Sequence, residues 1–260
     1  MYKLATFYGA WKYEFLMQAR RPWLWITMGL IELIMLGFMF RTPGVLDVVL
    51  HLKNAPLLVT TVYWTNLVNY LLPVAVAILI ADRLPRDKRI HVQEILTTLP
   101  GSAGARLFGK YLGNTCATML PIILFYLLGI LVIFIQTLNA QVFLLAITTF
   151  VTIILPGMLF VGAVATAIPA LIWAPVFQFL FVGYWFWGNL YKPRGIPTIS
   201  DTILTPAGGY SSRGFFGLTV FPVDHASAID GLLSILVLLG LSILLILALN
   251  SYQQWQKARQ

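Results

Sequence analysis

The chain has 260 residues, of which 59% are hydrophobic and only 10% are charged, and its mean hydropathy is +0.85. A soluble domain carries about 25% charged residues, so this composition excludes an ordinary soluble protein and predicts a polytopic membrane protein in the lipid bilayer. The formal net charge of +8 would suggest nucleic acid in a soluble protein. Here most of the basic excess can be assigned to loops that orient membrane spans, so no nucleic-acid partner is expected.

The N-terminal residues 1–21 are predicted to form a cytosolic helix that lies along the membrane surface. Its apolar side chains recur at spacings of three and four, as an interfacial helix requires, and they are Leu4, Phe7, Tyr8, Trp11 and Phe15. Arg20 and Arg21 follow as a positive anchor in front of the first apolar run.

Six transmembrane helices are predicted between residues 22 and 250, which makes the fold class all-α. The first runs from Pro22 to about Phe40, and nineteen residues at ~1.5 Å rise cover roughly the ~30 Å hydrocarbon core. The others are expected at about residues 57–81, 111–136, 141–167, 170–187 and 229–249. The long loop 188–228 is expected to carry short helices or to turn back toward the membrane, and residues 251–260 form a cytosolic tail.

Glu32 lies inside the first predicted span. A carboxylate at the centre of a lipid-facing helix costs a few kcal/mol, so Glu32 should face protein, water or a partner. One interpretation is a residue that lines a substrate path. The other is a protonated or hydrogen-bonded carboxyl group packed within the bundle.

The segment 82–110 is the only stretch in which charge is dense, and it lies between two apolar runs. Its middle predicts a short amphipathic helix, because four apolar residues follow the i, i+3, i+4, i+7 spacing: Val92, Ile95, Leu96 and Leu99. Pro85 suits the first turn of such a helix, and Pro100 with Gly101 ends it. Periodicity alone favours equally a helix resting on the membrane interface and one offered to another protein.

The orientation follows from the distribution of basic residues. Twelve of the 17 Lys and Arg residues lie in the N-terminal segment, the charged segment and the tail. By the positive-inside rule these three regions are cytoplasmic, which predicts a multi-pass plasma-membrane protein with both termini in the cytoplasm.

Motifs for catalysis are absent or incomplete. Residues 104–110 match the first seven positions of a phosphate-binding loop, but Tyr111 replaces the Ser or Thr that would bind Mg²⁺, and no strand precedes the loop. Gly104 and Gly109 are better explained as close-packing positions, with Lys110 extending to the membrane interface. His51, His91 and His225 fall in three separate loops, so no metal site is expected.

The charged segment resembles the cytosolic loop of ABC-2 type permeases, the membrane subunits of a class of ATP-binding-cassette transporters. The resemblance rests on the stretches Arg86-Asp87-x-Arg89, Glu94-x-Leu96, Leu99-Pro100-x-Ser102 and Gly109-Lys110-Tyr111-Leu112-Gly113. Six spans, an N-terminal interfacial helix and a long loop before the last span are similar to that family along nearly the whole chain. His91 stands where family members often have a small residue.

In that family the loop forms the coupling helix that docks on the ATPase subunit. The resemblance therefore implies a coupling set at the ATPase interface, namely Arg86, Asp87, Arg89, Val92, Glu94, Ile95, Leu96, Leu99 and Pro100. It also implies an exporter built from two copies of a separate ATPase and a second permease, identical or homologous. ATP and Mg²⁺ would be held by the ATPase, with no cofactor and no enzymatic site in this chain.

Two other classes of function remain open from the sequence. An ion-coupled secondary transporter usually carries several ionisable groups inside the membrane, and here Glu32 stands nearly alone. A membrane-embedded enzyme or a scaffold is the third alternative, against which stands the lack of a clustered nucleophile, acid–base pair or metal ligands.

Overall fold

The computed structural model describes residues 2–41, 56–89, 101–191 and 198–259. Within these residues the protein is all-helical, without a β-strand. The α-helices are α1 Tyr2–Ala19, α2 Pro22–Arg41, α3 Leu57–Ala81, α4 Arg83–Arg89, α5 Ala103–Thr137, α6 Gln141–Thr149, α7 Leu155–Ala167, α8 Ala174–Tyr184, α9 Gly209–Phe216 and α10 Ala228–Ala258. Two π-helical segments, Phe150–Ile154 and Trp185–Leu190, continue α6 and α8, and short 3₁₀ turns lie at Ile168–Ala170 and Ile199–Asp201.

Among the residues that the structure describes, four helical segments are long and apolar enough to cross a membrane, which agrees with a membrane protein. They are Leu57–Asp87, Ala103–Thr137, Gln141–Ala170 and Ala228–Gln256. They match the second, third, fourth and sixth predicted spans, although the third begins at Ala103 and the last extends into the predicted tail.

The first and fifth predicted spans are shorter apolar helices. The first corresponds to α2, which has 20 residues. The fifth was predicted to begin near residue 170, but its helix begins only at Ala174, after a break that follows the 3₁₀ turn. The break has a local cause, because Pro169 cannot donate to a continuing helix and Pro175 occupies the first turn of α8, where proline is favoured.

Side-chain caps set two of the helix starts. The Ser102 hydroxyl accepts a hydrogen bond from the Ala105 N–H at 3.5 Å, which starts α5 eight residues before the predicted span. At α10 the Ser227 hydroxyl accepts from the Asp230 N–H at 3.3 Å, and the Asp230 carboxylate accepts from the Ser227 N–H at 2.8 Å. This capping box satisfies backbone donors that would otherwise lack partners.

Helix α3 lies at the centre of the bundle and packs against α2, α5, α6, α7 and α8. Buried apolar side chains from all these helices form one large core cluster. The face of α3 is nevertheless polar in places, and Thr65 belongs to a closed hydroxyl network with Tyr126 and Thr149, with the Tyr126 hydroxyl 2.9 Å from the Thr149 hydroxyl. Such fully satisfied polar groups fix how buried helices meet.

The long loop carries short helices of its own, which is one of the outcomes expected from its length. Residues 198–227, called here the 198–227 segment, contain a 3₁₀ turn and α9, and they pack between α3, α7 and α10. Thr205, Ala207 and Ser212 are buried there. The segment is therefore part of the bundle and not a solvated connection.

Candidate functional site

The charged segment begins at one end of the bundle, where α1, α4 and the start of α5 meet; this region is called here the charged end. Helix α4 continues α3 after a turn at Asp82, so the two form one nearly continuous helix, Leu57–Asp87. Pro85 lies in the first turn of α4, while the amphipathic helix predicted to follow it lies outside the described residues. Movement of α4 would therefore be passed directly to α3.

Helix α1 packs against α5 across two glycines, Gly109 in the phosphate-loop-like stretch and Gly113 just after it. A Cβ built on Gly109 would lie 2.7 Å from the Phe7 carbonyl oxygen, and one built on Gly113 would lie 2.6 Å from the Trp11 carbonyl oxygen. Contacts this short with backbone atoms leave room only for hydrogen, so both glycines serve close helix packing, as predicted for Gly109.

Lys110 lies between two carboxylates, one from α1 and one from α4. Its ammonium group donates to the Asp87 carboxylate and lies 3.5 Å from Glu14 Oε1. The Lys110 side chain is only 13% exposed, so it does not extend to the membrane interface as the sequence suggested. The two carboxylates within reach compensate the positive charge of Lys110 at this buried position.

A second polar contact joins α4 to α1. Arg83 Nη2 donates to the Gln18 side-chain oxygen, and both residues are buried. Asn114 Nδ2 also lies 3.4 Å from Glu14 Oε2, which ties the same carboxylate to α5. The three helices are thus joined by side chains that water hardly reaches.

One face of α1 is packed within the protein, whereas the prediction that α1 lies along the membrane surface stays a prediction. The face that packs on α5 and α4 contains Phe7, Trp11, Glu14 and Gln18, at spacings of four, three and four, while Leu4 and Tyr8 are exposed. The sequence signal for this face was that the spacing of the apolar residues continues through Glu14 and Gln18. This signal indicates burial only if the cations that bind these two residues are known, and those cations lie far along the chain.

The predicted coupling set is divided by what the structure describes. Arg86 is exposed on α4, and Asp87 is bound to Lys110, so Asp87 acts within the chain as an attachment of α4. Arg89 is the last residue of α4. The remaining members lie outside the described residues: Val92, Glu94, Ile95, Leu96, Leu99 and Pro100.

Glu32 lies ten residues after the start of α2, or about 15 Å along the helix. Its side chain is half-buried, and its Oε1 is buried without a hydrogen-bond partner among the described residues. The structure therefore does not bring Glu32 into the charged end, and the hydrogen-bonded interpretation finds no partner for this oxygen in the described part of the chain.

The part of the chain that the structure describes contains no group of three or more His, Cys, Asp or Glu residues that could hold a metal ion. Of the three histidines only His225 lies within it. No protein-family model matches the chain, and no curated protein matches it significantly.

Proposed function

We propose that this chain is the permease subunit of an ATP-binding-cassette exporter, with the charged segment as the element that receives work from a separate ATPase. The observation that carries the proposal is the fastening of α4 to both α1 and α5 at the charged end. Arg83 of α4 donates to Gln18 of α1, and Asp87 of α4 binds Lys110 of α5, which also contacts Glu14 of α1.

Transmission of force requires such an attachment. A docking helix on a loose loop would move without the membrane helices, whereas one joined to α3, α1 and α5 would carry all three with it. Arg86 is exposed on α4, and its charge can fix the position of α4 on the ATPase. The predicted apolar stripe of residues 92–99 would supply the buried contact with the ATPase.

The proposed topology has six spans, with both termini cytoplasmic. Helix α2 would be the first span, at about 30 Å for its 20 residues. The fifth would be α8 with its π-helical continuation, Ala174 to Leu190, about 25 Å long and short for the hydrocarbon core. Two such bundles, from identical or homologous permeases, would enclose one pathway in the plasma membrane and bind two ATPase copies that hold ATP and Mg²⁺.

The test is co-purification with an ATPase encoded beside this chain, followed by two substitutions in the stripe. Leu96→Asp and Glu94→Arg should each lower ATPase recovery at least about tenfold while membrane insertion is unchanged, because a charge in a buried contact is left unpaired. Leu138→Asp is the matched control, since Leu138 is exposed in the loop between α5 and α6. Wild-type recovery and coupling in both stripe variants would reject the docking role.

An ion-coupled secondary transporter is the second candidate, and the unpartnered Glu32 oxygen favours it. Under this function a proton or sodium gradient alone should drive uptake in liposomes, and Glu32→Gln should abolish that uptake. Glu14→Gln is the control carboxylate, because Glu14 is held at the charged end. Gradient-driven uptake that survives Glu32→Gln would remove the reason for this candidate.

A further inference from the structure

The seam between α3 and the 198–227 segment is polar although it is fully buried. Asn66 Nδ2 donates to the Ser212 hydroxyl at 2.9 Å, and Asn69 Nδ2 donates to the Ala207 carbonyl oxygen at 2.7 Å. Asn66 is 1% exposed and Asn69 is 0% exposed. Asn66 lies nine residues into α3, about 14 Å from its start, so the seam reaches well into the bundle.

The hydrogen-bond network determines which amide atom of Asn66 and of Asn69 lacks a partner. The Ala207 carbonyl can only accept, so Asn69 must present its NH₂ group to it. The Ser212 hydroxyl donates to the Leu218 carbonyl at 2.6 Å and must therefore accept from the Asn66 NH₂ group. In both residues the amide oxygen is the atom without a partner in the described structure.

Two buried acceptors one helical turn apart are costly in a closed seam. An unsatisfied buried acceptor costs about 1–3 kcal/mol, whereas leucine at the same positions would pack without that cost. Asn189 also holds this segment, since its side-chain oxygen accepts from the Thr205 hydroxyl at 2.9 Å. While the segment is in place, the Asn66 and Asn69 side chains thus have a hydrogen bond at the amide nitrogen and none at the amide oxygen.

The segment is also tied to α10, the helix on its other side. The Ser234 hydroxyl donates to the Ile203 carbonyl oxygen at 2.9 Å, and the Ser211 hydroxyl donates to the Gly231 carbonyl oxygen at 3.5 Å. A displacement of α10 relative to α3 would therefore carry the segment with it and part the Asn66–Ser212 and Asn69–Ala207 contacts.

We infer that residues 203–223 form a lid over a hydrogen-bond-accepting strip of the transport path, made by Asn66 and Asn69. When the lid withdraws, the two amide oxygens bind N–H or O–H donors of water or of the transported molecule. The inference rests on the proposed transport function and assigns to it a donor-bearing cargo. A purely hydrocarbon cargo would gain nothing from such a strip.

The experiment measures access of a water-soluble reagent to the buried seam. Cys116 is the single cysteine of the chain, so Cys116→Ala gives a background in which Ala207→Cys and Ala75→Cys each supply one thiol. Ala207 and Ala75 are both 0% exposed, but only Ala207 lies at the seam, and its bond to Asn69 uses the backbone and survives the substitution. Val223→Cys provides a second lid position should Ala207→Cys fail to fold.

Each variant is reconstituted in liposomes, alone and with its ATPase, and treated with a charged methanethiosulfonate with and without ATP. The thiol at position 207 should react at least about tenfold faster than that at position 75 in at least one state, as expected of a local opening. Equal rates at both positions, or no reaction at 207 and 223 in any state, would overturn the lid. Loss of ATPase binding with fast reaction at 207 would reject the transporter assignment alone.

Donor chemistry is tested by protection of the thiol at position 207. Ethanolamine and choline share a hydroxyl group and a positive charge, but only ethanolamine in its ammonium form carries N–H donors. Ethanolamine should slow the reaction at least about twofold more than choline at equal concentration, because its three N–H groups add donors for the amide oxygens to the single hydroxyl that choline also has. Equal protection by the two, or none, would overturn the donor-binding strip.

Discussion

Lys110→Met is expected to destabilise the protein by about 3 kcal/mol, because the two buried carboxylates of Glu14 and Asp87 would then face each other without a cation. Thermal unfolding in detergent measures the loss. Lys12→Met is the matched control, since Lys12 is exposed on α1, and it should leave the unfolding temperature unchanged.

A double variant separates the repulsion between the two facing carboxylates from the packing that is lost with the Lys110 side chain. Adding Asp87→Asn to Lys110→Met removes one of the two facing charges, so the double variant should be more stable than Lys110→Met alone. Under the proposed exporter function, Lys110→Met should also leave ATP hydrolysis by the bound ATPase running while transport falls, because α4 would lose its attachment to α5 through Asp87. Unfolding of Lys110→Met at the temperature of Lys12→Met would show that the ion pair does not hold the charged end together.

Gly157→Ala is expected to displace the 198–227 segment. A Cβ at position 157 would lie 2.1 Å from the Pro206 carbonyl oxygen, and a backbone atom cannot move away as a flexible side chain can. We expect a loss of about 3 kcal/mol, at the upper end for overpacking by one methyl group. Gly183→Ala is the control, because a Cβ there meets nothing within 4 Å, and its higher helix propensity should leave stability unchanged or raised.

The readout for Gly157→Ala is amide hydrogen exchange over residues 203–223, with the rest of the bundle as an internal reference. Exchange should rise in the segment and stay low in α5. The thiol introduced at position 207 should also react faster in the Gly157→Ala background. Protection of the segment equal to that in Gly183→Ala would mean that the segment is not packed on α7 as the structure has it.

Local features of the sequence predicted the helices well. Helix α3 begins at Leu57 and ends at Ala81, as predicted, because its bounds follow from hydropathy and from the charged turn after it. The close packing of Gly109 was also foreseeable, since small residues mark close helix contacts. The break before α8 was predicted too short, because α8 begins only at Ala174, one residue before Pro175.

The side-chain contacts of the charged end could not be predicted from local features in the same way. Glu14 lies 96 residues before Lys110, and Gln18 lies 65 residues before Arg83, so no local pattern joins them. By composition alone Glu14 belonged in water and Lys110 at the membrane interface. The stripe of residues 92–99, on which the coupling hypothesis depends, lies outside the described residues and stays a prediction.

The sequence by itself thus determined the all-α class, the long apolar helices and the concentration of charge between residues 82 and 110, because these depend on composition and short-range periodicity. Only the tertiary structure decided which charges are neutralised within the chain and which, like that of Arg86, are presented outward. It also decided that Asn66 and Asn69 lie beneath the 198–227 segment. Both outcomes depend on contacts between residues far apart in the chain, which close packing of the helices creates.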